Sequence, residues 1–246
     1  IIVKVCVFKL IKITNNIIMT KKTIIFLHGG PGFDDYLKPY FSILNDTFNC
    51  IFYSQKKGPN ITIDELIEEI DILVNRCEHK PIILGHSWGG VLALKYISLF
   101  KNKICGLILM NTGLNTEQWL KYRETLKLFN LEDAEPEDVF MTEKEKLTGL
   151  TFFENMSRTL SDDTFKSIFK HFLSNFDLID DLSEITFPIL NIFGEKDYRF
   201  PVEIPRSFKK FNRDIIELEL EDSGHFPFIL EDKLDRICLA INKTFN

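Results

Sequence analysis

The chain has 246 residues, of which 45% are hydrophobic and 27% charged, with a net charge of −6. This composition suits an ordinary globular protein of one large α/β domain or two small ones. The negative charge and the absence of a basic stripe argue against nucleic-acid binding, and no apolar run reaches the ~18 residues of a membrane span. The five scattered cysteines predict free thiols in a reducing, cytoplasmic setting, with no disulfide framework or metal site.

Residues 1–22 precede the first clear strand, and the chain begins with Ile1 rather than methionine. Residues 1–18 alternate apolar residues with lysines, a pattern that fits an edge strand or hairpin before the sheet. The same pattern fits translated sequence upstream of a start at Met19, and the lysines argue against a signal peptide. We interpret 1–22 as an edge strand or a non-native N-terminal extension and assign it no function.

Short apolar segments alternate with helical patterns through the first half of the chain. Strands are predicted at residues 23–27, 50–53, 81–84 and 104–110. Helices are predicted at about 36–44 and from the capping box that begins at Thr62. Alternating strands and helices imply a mostly parallel sheet with helices on both faces, which is an α/β fold.

The pattern is helical from about 112 to 182, after which strands return at 188–193 and 215–220 and an amphipathic helix at about 231–245 closes the chain. This interruption predicts a helical lid above the carboxyl ends of the strands, where open α/β sheets place their ligands. We therefore divide the chain into a core of 23–111 and 183–246 and a lid of 112–182.

Residues 85–90 read Gly-His-Ser-Trp-Gly-Gly and lie between a predicted strand and a helical segment. A serine on a tight turn from strand to helix forms a nucleophile elbow, and the glycines permit the sharp fold and close packing. Ser87 is therefore the predicted nucleophile. The alternative interpretation is a Gly/Ser turn without chemistry.

A serine hydroxyl needs a base and a group that orients the base. Among the five histidines we favour His225, which lies on the loop between strand 215–220 and the last helix. Asp197, on the loop after strand 188–193, is the expected orienting acid because it gives the chain order Ser, Asp, His. Glu195 is the reserve for that role, and a solvated turn is the alternative for both acids.

The negative oxygen formed when serine attacks a carbonyl needs N–H donors already aimed at it. One donor is expected from the backbone of Trp88, and the second from Gly30 in the loop 28–32, His-Gly-Gly-Pro-Gly. A loop used only as a tight connection is the alternative. His28 and His86 are expected to be structural. No metal-ligand cluster is visible in the sequence, and a chain with its own nucleophile requires no cofactor.

The glycine loop, elbow, acid loop and histidine loop together resemble the α/β-hydrolase superfamily, from Thr23 onward. The His-Gly-Gly-Pro-Gly loop and the Ser-Trp-Gly elbow look like the proline iminopeptidase group, serine peptidases that release an N-terminal residue. This resemblance implies an α/β-hydrolase fold and cleavage through an acyl-enzyme on Ser87, with His225 as base and Asp197 as orienter.

Three features depart from the pattern of that group. Where it usually has Asp-Gln-Arg-Gly, residues 54–58 (Ser-Gln-Lys-Lys-Gly) keep only Gln and Gly. Its lid typically carries a Trp-Glu pair whose carboxylate holds the substrate's amine. Here Phe152, Phe153 and Glu154 are the nearest equivalent and the candidate substrate-binding residues. The lid is also short for the group. Because of these three departures, the resemblance does not imply specificity for proline.

The composition of the lid allows two interpretations. It contains 15 Asp and Glu against 8 Lys and Arg, a difference of −7, which would suit an amine-bearing substrate. Solvated helix faces explain the same count and are the preferred interpretation. Its phenylalanines, including Phe165, Phe169 and Phe172, would either line an apolar acyl or prolyl site or pack the lid at helical spacing.

The expected function is hydrolysis of a small ester, amide or short peptide by a serine hydrolase, either an aminopeptidase or a carboxylesterase. Acyl transfer to an acceptor other than water would use the same residues. A non-catalytic ligand binder on the same fold is a further alternative, since fold does not determine function. A dehalogenase is disfavoured because its elbow carries a carboxylate where this chain has Ser87. Substrate and oligomeric state stay open.

Overall fold

A six-stranded sheet lies at the centre of the computed structural model, which describes residues 20–129 and 131–246. The strands are β1 (Thr23–Leu27), β2 (Asn49–Phe52), β3 (Ile82–His86), β4 (Gly106–Met110), β5 (Ile189–Gly194) and β6 (Ile216–Leu220). Their order is β2-β1-β3-β4-β5-β6, and each neighbouring pair is parallel. The predicted parallel α/β architecture is confirmed.

The interpretation of residues 1–18 as an edge strand concerns a part of the chain that lies outside the described residues. The division into an N-terminal unit 1–22, a core of 23–111 and 183–246, and a lid of 112–182 stays a prediction.

Helices cover both faces of the sheet because successive strand side chains point to opposite sides. Ile25 and Leu27 pack in one hydrophobic cluster with α2 (Ile63–Asn75) and α3 (Trp88–Phe100). Ile24 and Phe26 pack in a second cluster with α1 (Lys38–Phe41) and α11 (Glu231–Phe245). Strands buried on both faces have almost continuous apolar sequences, which explains why β1, β3 and β4 were recognisable.

The two helices predicted in the first half of the chain agree with the structure to different degrees. The capping box at Thr62 is formed, with Thr62 Oγ1 accepting from the Glu65 N–H and Glu65 Oε2 accepting from the Thr62 N–H. The helix predicted at 36–44 is shorter, because α1 ends at Phe41 and a 3₁₀ turn follows at Ser42–Asp46. Ser42 Oγ donates to the Lys38 carbonyl oxygen, and such local bonds compete with regular helix.

Helices fill the chain between β4 and β5, with one π-helical turn at Phe169–Leu173. They are α4 (Thr116–Leu120), α5 (Tyr122–Leu128), α6 (Pro136–Phe140), α7 (Glu143–Ser157), α8 (Asp162–Ile168) and α9 (Ile179–Ser183). They contact loops that follow the strands: the Ser161 N–H donates to the Gly32 carbonyl oxygen and the His225 N–H to that of Phe140. A short helix α10 (Glu203–Arg206) links β5 to β6. Among the described residues, no helix has the length and apolarity needed to cross a membrane.

Candidate active site

The nucleophile elbow predicted at Ser87 has the strained backbone typical of such turns. Ser87 follows β3 directly, precedes α3, and has φ 54° and ψ −120°, a conformation rarely adopted by residues other than glycine. Cβ atoms at Gly85 and Gly89 would lie 2.3 Å from the Gly89 oxygen and 2.0 Å from the Leu27 oxygen. The glycines are therefore required because backbone segments meet at these points.

Hydrogen bonds from the next strand hold the elbow in place. The Ser87 N–H donates to the Met110 carbonyl oxygen at 2.9 Å, and Thr112 Oγ1 donates to the Ser87 carbonyl oxygen at 2.7 Å. The Ser87 residue is 8% exposed, and no described residue hydrogen-bonds its Oγ. The hydroxyl therefore faces the cavity without a competing protein partner.

The predicted acid and base form a buried pair. His225 Nδ1 lies 2.8 Å from Asp197 Oδ2, and each residue is 2% exposed. An ionised carboxylate only accepts hydrogen bonds, so Nδ1 carries the hydrogen and Nε2 is left to accept a proton. No hydrogen bond joins His225 to Ser87 Oγ among the described residues; such contacts often tighten only when substrate binds.

Asp197 is held by four hydrogen bonds. Its Oδ1 accepts from the backbone N–H groups of Arg199 and Phe200 at 2.8 and 3.1 Å. Its Oδ2 accepts from Asn111 Nδ2 at 2.7 Å as well as from His225. Glu195, the second candidate for the orienting acid, is exposed. One of its carboxylate oxygens accepts a hydrogen bond from the Asp222 N–H.

Asn111 is a site residue that the sequence reasoning missed. It comes directly after β4 with φ 48°, and its amide joins Asp197 to the histidine loop through the Gly224 carbonyl oxygen at 3.3 Å. A polar residue at the carboxyl end of an apolar strand was a signal available in the sequence.

One large cavity is lined by both the candidate nucleophile and the candidate base. It has a volume of about 660 Å³ and is lined by Ser87, His225 and Gly30 together with many apolar side chains. A cavity of this size suits a small-molecule ligand.

The glycine loop presents its second glycine to this cavity. The Gly29 N–H is already used, since it donates to the Tyr36 hydroxyl at 2.8 Å. The N–H groups of Gly30 and Trp88 find no acceptor among the described residues. Both groups are therefore available to a ligand.

His28 and Gln55 brace this loop against the elbow. The Gln55 side chain donates to the His28 carbonyl oxygen and accepts from Trp88 Nε1, both at 2.9 Å. The Gln55 N–H donates to His28 Nε2, and burial lowers the pKa of His28 to about 4, so its ring is neutral. Gln55 is one of the two residues that segment 54–58 shares with the proline iminopeptidase pattern.

A hydrogen-bond chain joins the glycine loop to the histidine loop through Tyr36 and His86. Because the Tyr36 oxygen accepts from Gly29, its own hydrogen donates to His86 Nδ1 at 2.6 Å. His86 Nε2 then carries the hydrogen and donates to the His225 carbonyl oxygen at 2.8 Å. Burial holds the pKa of His86 well below its ordinary value, so the ring is neutral. No sequence pattern indicated Tyr36.

Replacing Tyr36 with phenylalanine is expected to lower kcat for ester cleavage about tenfold with little change in KM. The change removes the acceptor of the Gly29 N–H and the donor to His86, which loosens the loop that carries Gly30. Steady-state kinetics measures the effect. Tyr40→Phe is the matched control because no described residue hydrogen-bonds its hydroxyl; equal losses in both variants would contradict this role for Tyr36.

The lid residues expected to bind substrate have different positions. Phe153 lines the cavity. Phe152 is instead packed between Tyr36, Tyr40 and Phe226, outside the cavity lining. The Glu154 side chain is 54% exposed and faces Arg158, so the structure does not bring its carboxylate to the cavity. Adjacent positions on a helix point about 100° apart, which separates the three side chains.

The other phenylalanines of residues 112–182 also differ in whether they line the cavity. Phe165 and Phe169 line the cavity, whereas Phe172 packs against Trp88 and Phe176 outside it. Residues 112–182 therefore contribute both an apolar cavity wall and ordinary packing.

Glu145 connects the lid to the histidine loop and was also missed. Its Oε1 accepts from the Gly224 N–H at 2.8 Å, and its Oε2 accepts from the Thr142 N–H at 2.7 Å in a capping box. Burial raises the pKa of this carboxyl, which is fully enclosed between α7 and the loop. The sequence shows the capping box but not this second use of the carboxylate.

Within residues 20–129 and 131–246, no group of three or more His, Cys, Asp or Glu side chains is arranged to hold a metal ion. That no cofactor is needed stays a prediction.

Comparison with known proteins gives the family of the chain. The family described as alpha/beta hydrolase fold matches residues 22–232. The chain belongs to this family. Among curated relatives of this α/β hydrolase, the proline iminopeptidase of Saccharolobus solfataricus is 34% identical over 109 residues. That match spans 39% of this chain and only 35% of the relative's length. The resemblance to the proline iminopeptidase group is thereby confirmed for part of the chain.

Solved structures share the fold of this α/β hydrolase across most of its length. A proline iminopeptidase-related protein from Thermus thermophilus has a TM-score of 0.74 at 21% identity, covering 91% of this chain and 90% of its own. An esterase from Thermogutta terrifontis has a TM-score of 0.73 at 19% identity, covering 91% and 89%. At these identities the likeness concerns the fold, which hosts many activities.

Proposed function

We propose that the protein is a serine hydrolase that cleaves a small ester or amide through an acyl-enzyme on Ser87. One observation carries this proposal. The strained Ser87 and His225 line the same cavity, and His225 Nδ1 is hydrogen-bonded to Asp197 behind it. Nucleophile, base and orienting acid follow the order Ser, Asp, His that this fold uses.

In the proposed mechanism, His225 Nε2 takes the proton of Ser87 Oγ while Oγ attacks the substrate carbonyl carbon. The carbonyl oxygen of the substrate becomes negative and accepts hydrogen bonds from the Gly30 and Trp88 N–H groups. The imidazolium, stabilised by Asp197, gives its proton to the leaving group, which leaves an acyl group on Ser87. Water then attacks the acyl carbon while His225 Nε2 takes one of its protons; the bond to Ser87 Oγ breaks, Oγ receives that proton from His225, and the carboxylic acid is released.

The cavity favours ester substrates over peptides with a free N-terminal amine. None of the described residues that line it is Asp or Glu, and the Glu154 side chain lies outside. A protonated amine would therefore lose hydration without meeting a compensating carboxylate. An aminopeptidase is the second candidate, because a curated relative matched over part of the chain is a proline iminopeptidase.

The expected setting is a cytoplasmic enzyme acting on small molecules, with neither nucleic acid nor membrane as a partner. The net charge of −6 argues against a nucleic-acid surface. Scattered free cysteines such as Cys50 and Cys238 fit a reducing compartment, and burial raises the pKa of both thiols, which keeps them protonated.

The test combines covalent labelling with a substrate panel. Purified protein should form one adduct with a fluorophosphonate probe, located at Ser87 by peptide mass spectrometry. It should also hydrolyse nitrophenyl esters, measured over a series of rising chain length, faster than prolyl- or alanyl-arylamides. Absence of both labelling and turnover would contradict the proposal and favour a ligand binder. Faster cleavage of prolyl-arylamides would favour the aminopeptidase, and ester products formed with added alcohol would favour acyl transfer.

A further inference from the structure

The walls of the catalytic cavity carry positive charge. Two arginines, Arg123 and Arg199, line it, and no carboxylate does so among the described residues. The acidic residues of the lid therefore do not determine the charge that a bound substrate meets. Several of these acidic side chains are directed to solvent; that of Glu143, for example, is 89% exposed.

Arg199 is buried at the cavity wall among aromatic rings. The residue is 7% exposed, and its guanidinium carbon lies 4.3 Å from the ring centroids of Trp119 and Tyr122 and 4.8 Å from that of Phe200. One N–H donates to the Trp119 carbonyl oxygen. These contacts hold the guanidinium plane in one orientation, so little further entropy is lost when it binds a ligand.

The guanidinium of Arg199 has no carboxylate partner among the described residues. The nearest acid along the chain is Asp197. Its oxygens are already occupied by two backbone N–H groups and by the side chains of Asn111 and His225. Only the backbone N–H of Arg199, and not its side chain, donates to Asp197. Of the five N–H donors of the guanidinium, one has an acceptor among the described residues, which leaves the guanidinium with unused donors at the cavity wall.

A buried charge without a partner is costly, and proteins usually pair such groups. Burial lowers the pKa of Arg199 to about 10, which still leaves the side chain charged at neutral pH. Arg123, on α5, is exposed at the cavity rim and has no ion-pair partner among the described residues. Two arginines line the cavity without a carboxylate among its described lining residues, and the oxygens of nearby Asp197 are already hydrogen-bonded, so the cavity suits an anionic ligand group.

We propose that Arg199, assisted by Arg123, forms a carboxylate-binding subsite, so that the substrate is an ester or amide with an apolar body and a carboxylate remote from the scissile carbonyl. The aromatic and aliphatic lining, including Phe153, Phe165 and Phe169, receives the apolar body. The planar guanidinium of Arg199 receives the carboxylate in a two-point contact. This inference rests on the proposed hydrolase function for its kinetic test, and a binding test separates the two.

The kinetic test compares two nitrophenyl esters of equal chain length: the monoester of adipic acid and the hexanoate ester. The wild type should show a kcat/KM at least about tenfold higher for the adipate ester, because hydrogen bonds to charged groups contribute this much or more. Arg199→Met should bring the ratio close to one, and Arg199→Lys should give an intermediate ratio because charge remains without the planar fork. Arg123→Met should lower the ratio less, since an exposed charge is screened.

Arg158→Met is the matched control. Arg158 is a lid arginine with 75% of its side chain exposed that does not line the cavity, so the wild-type ratio should be retained. A wild-type ratio near or below one, or an equal fall of the ratio in Arg158→Met and Arg199→Met, would overturn the proposal. Circular dichroism of Arg199→Met checks that the variant is folded, and Arg199→Lys supplies the same comparison if it is not.

The binding test does not need catalysis. Ser87→Ala protein is titrated calorimetrically with monomethyl adipate and with dimethyl adipate, which differ only in the free carboxylate. Binding of the monomethyl ester should be at least about tenfold tighter, and this difference should vanish in the Ser87→Ala/Arg199→Met double variant. Equal affinities would overturn the subsite even if the wild type is an active hydrolase. A retained difference in a protein without hydrolase activity would support the subsite and refute only the proposed function.

Discussion

Replacing Ser87 with alanine is expected to lower ester hydrolysis by about 10⁴-fold or more, to the level left by substrate binding and the N–H donors alone. The variant retains the cavity, the Gly30 and Trp88 N–H groups and the His225–Asp197 pair, but has no oxygen to form the acyl-enzyme. Since alanine is smaller than serine and the Ser87 hydroxyl has no protein partner among the described residues, the fold should be preserved. Initial rates with a nitrophenyl ester measure the change.

The control for this prediction is Ser98→Ala, on the same helix. Ser98 Oγ donates to the Lys95 carbonyl oxygen within α3 and does not line the cavity, so its loss should leave the rate near that of the wild type. Rates within a few fold of the wild type in Ser87→Ala would refute the nucleophile assignment. Fluorophosphonate labelling of the same two variants gives an independent readout, since only the first should lose the adduct.

Replacing Asp197 with asparagine should reduce kcat by about 10⁴-fold, because the wrong tautomer of His225 is then stabilised. In the wild type, His225 Nδ1 donates to Asp197 Oδ2, and Asn111 donates to the same oxygen. In the variant, the carbonyl oxygen of the new amide would retain the two backbone N–H contacts, so its NH₂ group would face Nδ1. The hydrogen of the ring would move to Nε2, which could then no longer take the serine proton.

Glu195→Gln is the matched control and also tests the reserve assignment. The Glu195 side chain is exposed, and its contact to the Asp222 N–H can be kept by a glutamine oxygen. Its kcat should stay near that of the wild type. A large loss in Glu195→Gln with little change in Asp197→Asn would transfer the role of the acid to Glu195. A pH profile of kcat separates a tautomer effect from unfolding, which circular dichroism also monitors.

The parts of the fold that the sequence predicted are those in which local pattern and burial agree. β1, β3 and β4 are buried on both faces and read as apolar runs, and the final helix was predicted at 231–245, its observed extent. The helix predicted at 36–44 was too long because Ser42 and its neighbours form local hydrogen bonds that periodicity does not register. Boundaries of this kind depend on side-chain contacts rather than on pattern.

Residues 112–182 illustrate why candidate substrate contacts are harder to predict than candidate catalytic groups. Ser87, Asp197 and His225 each follow a core strand, and parallel strands bring such positions to one edge of the sheet. Side chains in residues 112–182 have no such constraint, because the face that each helix turns to the cavity depends on the elements it packs against. Phe153 lines the cavity, whereas Glu154, one residue later, is directed to solvent.

The sequence by itself determined the order of strands and helices, the strained turn at Ser87 and the loops that carry Asp197 and His225. It did so because strand burial, glycine spacing and chain order are local or periodic features. Only the tertiary structure decided which groups share the cavity. Tyr36, Asn111 and Glu145 join loops far apart in the chain, and Arg199 turns its charge toward the cavity although the lid around it is acidic. Such contacts depend on the relative placement of whole elements, which no single stretch of sequence records.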